Sequence, residues 1–269
     1  MLGYVHNEHA KPAGHEVVNR GLACLVLASS CGRVGFDPTP QTTGPIDAGA
    51  IDTPLVGSDA PLGSGQNWQL IQVVEASSGS GQSTLIAQLA PTRSGDLVVL
   101  ATQATAPAMT TISDDKLNPY ESIDASYAQN APDQDSVELF YNPAVVADTT
   151  TVTFTSSTAA YTLVVWEFAT AAPAMLDIGA ALINEPASTM PSSPQLTTTS
   201  DGELVIATVI ETASVTGIVP GAFTNDTLAN ANGWAHTTDP AAPAGTYQAQ
   251  WFSGSGTYAS NAAAFIVAP

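Results

Sequence analysis

The chain has 269 residues and a formal net charge of −19, from 24 Asp and Glu against 5 Lys and Arg. That imbalance excludes nucleic-acid binding and attachment to anionic lipid through basic residues, both of which need clustered cations. Only 11% of residues are charged, against about 25% in ordinary globular proteins, while 44% are hydrophobic, so the chain is neither wholly disordered nor a helical protein with Lys- and Glu-covered faces.

Residues 1–30 read as a signal peptide. Arg20 precedes a short apolar run, Gly21-Leu-Ala-Cys-Leu-Val-Leu-Ala28, and small residues follow. The run is too short to span a bilayer. The cysteines are Cys24 and Cys31, so nothing after residue 31 can form a disulfide or a Cys-based metal site. Residues 31–66 read as a disordered tether: Pro38, Pro40, Pro45, Pro54 and Pro61 stand among Gly, Asp, Thr and Ser, a composition that cannot pack a core.

Basic residue, apolar run and small residues directly before Cys31 together resemble a bacterial lipoprotein signal. The resemblance implies cleavage before Cys31, lipidation of Cys31 and an address in the cell envelope, at the outer membrane or cell surface, with secretion as the alternative. Leu27 stands four residues before the cysteine where the family pattern has three, and Ser30 precedes it where the pattern has Gly or Ala.

Residues 67–269 read as an all-β domain. β-Branched and aromatic residues recur in short runs: Trp68–Val74, Thr84–Leu89, Asp96–Thr102, Met109–Ile112, Val137–Tyr141, Thr150–Thr155 and Tyr161–Phe168. Turn signals separate them, Ser77–Ser83 and Pro91–Gly95 among them, and no 3.6-residue periodicity is sustained. The run Tyr161–Phe168 is apolar on both parities, Leu163 and Val165 on one face and Val164, Trp166 and Phe168 on the other. Such a strand is covered on both sides.

The second half repeats the first. Asp96-Leu-Val-Val recurs as Glu203-Leu-Val-Ile, 107 residues on, and Tyr161-x6-Phe168 recurs as Tyr258-x6-Phe265, 97 residues on. Thr151-Val-Thr-Phe-Thr before the first corresponds to the Tyr247–Phe252 segment before the second. The expectation is an antiparallel two-sheet sandwich, jelly-roll-like, with two pseudo-repeated Greek-key halves. The order of these strands resembles a β-sandwich module of secreted bacterial proteins and phage-tail-like appendages. That resemblance implies an adhesive or carbohydrate-binding-like role, with glycans or other surface proteins as partners. Where that module often carries Asp-x-x-Gly-Asn, this chain has Asp114-Asp-Lys-Leu-Asn118.

Chemistry has few candidates. His236 is the one histidine after residue 31, read as a surface residue, and no Gly-x-Ser-x-Gly elbow is present, which leaves no sequence support for a serine triad. The acidic stretch 114–138 is the candidate metal site, with Asp114, Asp115, Asp133 and Asp135 as calcium ligands on a flexible loop. Trp234, Tyr120 and Tyr127 are the candidate ligand-stacking aromatics, Trp234 on an exposed loop; Trp68, Trp166 and Trp251 are expected in the core. The reading is a non-enzymatic, lipid-anchored surface protein. The alternative is a secreted carbohydrate-active or other hydrolase domain using paired carboxylates.

Overall fold

The computed structural model describes residues 67–237, 239 and 241–268. The expected signal peptide (1–30), Cys31 and the tether (31–66) lie outside the described residues.

The first half contributes β1 (Trp68–Gln88), β2 (Leu97–Thr105), β3 (Thr110–Asp114), β4 (Glu121–Ser122), β5 (Ala128–Asn130), β6 (Asp135–Asn142) and β7 (Thr151–Thr170). They form one antiparallel sheet in the order β1-β7-β2-β6-β4, with β3 added to β7 and β5 to β6. The second half contributes β8 (Ala174–Ser188), β9 (Leu196–Thr197), β10 (Leu204–Glu211), β11 (Val215–Ile218), β12 (Phe223–Thr227), β13 (Gly233–Thr237), β14 (Thr246–Tyr247), β15 (Trp251–Ser253) and β16 (Gly256–Val267). Its main sheet runs β12-β13-β10-β16-β8, and β11-β15 and β9-β14 form two small ribbons. The domain is an all-β sandwich, and each half supplies one of its sheets.

The sequence repeat is a repeat of hydrogen-bond register. Leu97 lies opposite Phe168 and Leu204 opposite Phe265. On the other edge of the same strands, Leu70 lies opposite Phe168 and Leu176 opposite Phe265. Strand order and pairing frame are therefore the same in both halves. A one-residue slip would turn every core side chain to the wrong face, so the apolar pattern holds the frame in each.

Both faces of each sheet are covered, which is why the central strands are apolar on both parities. Between the sheets, Val164, Trp166 and Phe168 pack with Ile206, Trp234 and Phe265. On the outer face of the first sheet, Leu163 and Val165 pack with Phe154 and Leu85. The outer face of the second carries Val205, Val209 and Trp251. Each large side chain buried this way contributes roughly 1.5–3 kcal/mol by leaving water.

Two single 3-10 turns tie the halves together reciprocally. Asp124–Ser126, from the first half, lies against β8 and β16; Ala229–Ala231, from the second, lies against β1 and β7. Asn261 Nδ2 donates to the Ser126 carbonyl at 2.8 Å, while its Oδ1 accepts from Thr208 Oγ1 at 2.6 Å. On the other side, Asn230 Nδ2 donates to Thr162 Oγ1 at 2.8 Å, and Gln103 Oε1 accepts from both Thr162 Oγ1 and Asn232 Nδ2. Buried polar side chains at each contact thus satisfy one another.

One sequence expectation changes. Ser77–Ser83 is not a turn: β1 runs through it, still paired to β7, with register shifts on either side of Gln82. Gly81 sits at φ +68°, and a Cβ there would stand 2.6 Å from that of Ala159. A Gly/Ser composition serves a bulge as well as a turn when the partner strand continues, and β7 does.

Candidate functional site

The acidic stretch 114–138 is largely ordered structure, not a loop. It contains β4, a 3-10 turn, β5 and the start of β6. Asp114 ends β3 and is buried. Its Oδ1 accepts from the backbone N–H groups of Lys116 (2.9 Å) and Asn118 (3.0 Å). Its Oδ2 accepts from Asn118 Nδ2 (2.7 Å) and the Tyr120 hydroxyl (2.8 Å). Burial, and then the Asp114 charge beside it, push the Tyr120 phenol far above its ordinary range. Asp115 faces β7: its Oδ1 accepts from the backbone N–H groups of Thr150 (2.9 Å) and Thr151 (3.2 Å), and its Oδ2 from Thr150 Oγ1 (3.0 Å). The Thr150 N–H, with the further donors, holds its carboxyl below the usual range.

Asp135 opens β6 and accepts from Gln103 Nε2 at 2.9 Å. Burial raises its carboxyl, and exposed Asp133 adds to the shift. Asp114 lies opposite Val152, whereas Asp135 lies opposite Thr105 at the far end of β2. Among the described residues no three His, Cys, Asp or Glu side chains converge as a metal cage. The four candidate ligands thus fall into two groups. Asp114 and Asp115 give their oxygens to the turn and to β7, while Asp135, with exposed Asp133 near it, binds the inter-half network through Gln103.

The candidate aromatics divide. Tyr120 is half-buried with its hydroxyl on Asp114, and Tyr127 is half-buried beside β5. Trp234 is not on an exposed loop: it lies in β13, is 0% exposed, and belongs to the core between the sheets. Trp68, Trp166 and Trp251 are buried as expected. His236 is also corrected, from surface residue to buried partner. Its Nδ1–H donates to Asp226 at 2.8 and 2.9 Å, and Trp166 Nε1, from the other half, donates to the same carboxylate at 2.8 Å. The Phe168 ring meets the imidazole edge-on at 5.6 Å. Among the described residues, no hydroxyl or thiol bonds to His236, so this is a histidine–carboxylate pair without a nucleophile.

Two acid pairs escaped the sequence reading. Asp96 and Glu167 are both buried and in contact, Asp96 directly before β2 and Glu167 inside the run Tyr161–Phe168. Glu167 accepts from the Arg93 N–H at 3.0 Å and from Gln72 Nε2. Among the described residues, Asp96 Oδ2 has no hydrogen-bond donor. Burial first, then Glu167, pushes the Asp96 carboxyl up to about 7. The equivalent acid of the second half, Glu203, likewise contacts Asp177 and is raised, chiefly by burial. The clue in the sequence was a glutamate inside a strand otherwise apolar on both faces. No family model, curated protein or solved structure matches the chain.

Proposed function

We propose that the chain is a non-enzymatic, lipid-anchored protein of the cell envelope, held through Cys31, which displays a β-sandwich to glycans or to other surface proteins. The supporting observation is that the side chains best suited to chemistry are engaged by the fold itself. Asp114 accepts four hydrogen bonds, Asp115 accepts three, and Asp226 is shared between His236 and Trp166.

The rival reading, a secreted carbohydrate-active or other hydrolase, needs paired carboxylates flanking an open cleft at about 5–10 Å separation. Asp96 and Glu167 are in direct contact and buried, which favours the binding reading. The test is fractionation of a bacterium that processes lipoproteins. The native chain is expected in membranes and Cys31→Ala in the soluble fraction, because acyl chains contribute about 0.8 kcal/mol per buried CH2. Equal partitioning of the two forms would remove the anchor. A glycan array and a panel of glycoside substrates then separate binding from hydrolysis.

A further inference from the structure

Strand β8 ends its sheet. β16 pairs with one of its edges, and among the described residues no strand pairs with the other. Exposed sheet edges are ordinarily blunted by Lys, Pro, bulges or a covering segment, because their free N–H and C=O groups recruit other strands. β8 contains no Lys or Arg, and its one proline, Pro186, stands near the end. Register irregularities flank it, but Ile178–Leu182 pairs regularly with Ser260–Ala264 and presents a straight edge. Met175, Ile178 and Ile183 are exposed along it. The equivalent edge strand, β1, exposes Ser77, Gln82 and Ser83 and a single large apolar side chain, Ile86.

The rim of this edge is acidic. Glu185 lies on β8 itself, as does Asp177, whose carboxylate contacts Glu203. The neighbouring turn brings exposed Asp124 against β8, and Asp133 follows Ala131, whose N–H donates to Asn184 Oδ1. The described residues carry two cations, and both sit elsewhere: Lys116 beside Asp115, and Arg93 beside Glu167. A second copy would set acid against acid at this edge, and like-charge juxtaposition opposes association. An extended segment with alternating apolar side chains and Lys or Arg at its flanks matches both the open edge and the rim.

We propose that the β8 edge is a docking site for such a basic-flanked segment of another protein, which adds to the sheet as a further strand. The inference rests on the reading of the sandwich as a binding module and not on the lipid anchor.

The test uses the full chain in detergent and a fluorescein-labelled peptide, Lys-Lys-Val-Thr-Val-Thr-Val-Thr-Val-Lys-Lys, followed by anisotropy. Saturable binding is expected. A Glu-flanked peptide, and one with Pro at each Thr, should bind at least about tenfold more weakly, the first through charge and the second through lost ladder bonds. Ile178→Lys with Ile183→Lys should weaken binding by about tenfold or more, while the charge-matched pair Met109→Lys with Leu117→Lys, on exposed sites of the other half, should change it by less than about twofold. Equal binding of the proline peptide, equal losses in both variant pairs, or no saturation at millimolar peptide would each overturn the proposal. So would light scattering that detects a dimer abolished by Ile183→Lys, which would assign the edge to a second copy. If the β8 variant fails to fold, the three peptides still decide. Failure here with a positive glycan array would leave the binding module intact and remove only this edge.

Discussion

The two halves of the sandwich share one strand order and one register, yet equivalent positions carry different side chains. Phe154 in the first half corresponds to Trp251 in the second, each buried on the outer face of its sheet. Glu138 corresponds to Gly233. Glu138 accepts hydrogen bonds from Thr110 and Ser122. At the equivalent position the Trp251 ring fills the space beside the backbone, and a Cβ on Gly233 would collide with it. Tyr141 and His236 also correspond. Tyr141 packs at a tilt against Phe265 at 5.6 Å and donates to an exposed Glu121; His236 meets Phe168 edge-on at the same distance and donates to a buried Asp226. The shared frame sets where a side chain points, and the volume and polarity of its neighbours then set what it can be.

Substitutions at the shared core test this frame most strongly. Trp166→Ala should cost roughly 3–5 kcal/mol in a urea titration, the range for a large aromatic truncated in a core. Trp234→Ala should fall in the same range, because both rings lie between the sheets. A Trp234→Ala cost near that of an exposed residue would return Trp234 to the surface and break the equivalence of the two inner faces.

Gly233→Ala sharpens the difference between the outer faces. It should cost about 1–3 kcal/mol through overpacking against Trp251. Combined with Trp251→Phe, which restores the ring of the first half, the losses should be less than additive. Strict additivity would mean that the glycine answers to its backbone and not to the ring.

The acid pairs give a subtler contrast. The Asp96 carboxyl stands at about 7 in the folded protein against an ordinary value of 3.8. A raised acid pKa means that the folded state holds the proton more tightly. Its stabilisation is complete below the unfolded value and is lost as pH rises through the folded one. The stability difference between native chain and Asp96→Asn should therefore shrink between about pH 4 and about pH 7. Parallel stability profiles across that interval would show that folding does not raise the Asp96 carboxyl.

Calcium should produce the smallest effect. Asp114 and Asp115 already spend their oxygens on protein donors. Melting temperatures in millimolar calcium and in chelator should agree within about one degree, since stabilisation by a ligand scales with its occupancy of the native state. A gain of several degrees, lost in Asp133→Asn with Asp135→Asn, would establish a calcium site at the start of β6.

Much of the fold was legible because it is written in local pattern. Parity of apolar residues marked Tyr161–Phe168 as covered on both faces, and the offsets of 107 and 97 residues anticipated equivalent registers, Leu97 with Phe168 and Leu204 with Phe265. Those signals survive because strand alternation and burial act over a few residues at a time. The sites were not legible, because their partners are distant in the chain. Trp234 sits among turn-forming residues, and its burial comes from the opposite sheet. Asp115 finds its donors at Thr150 and Thr151, Asp226 is capped by Trp166 from the other half, and Asp96 meets Glu167 only when β2 and β7 pair. The sequence by itself determined an acidic all-β sandwich of two repeated halves. Which acids are enclosed, which tryptophans are buried and which edge is left open were decided only when the sheets packed, because burial and hydrogen-bond satisfaction belong to the assembled interior and to no single stretch of chain.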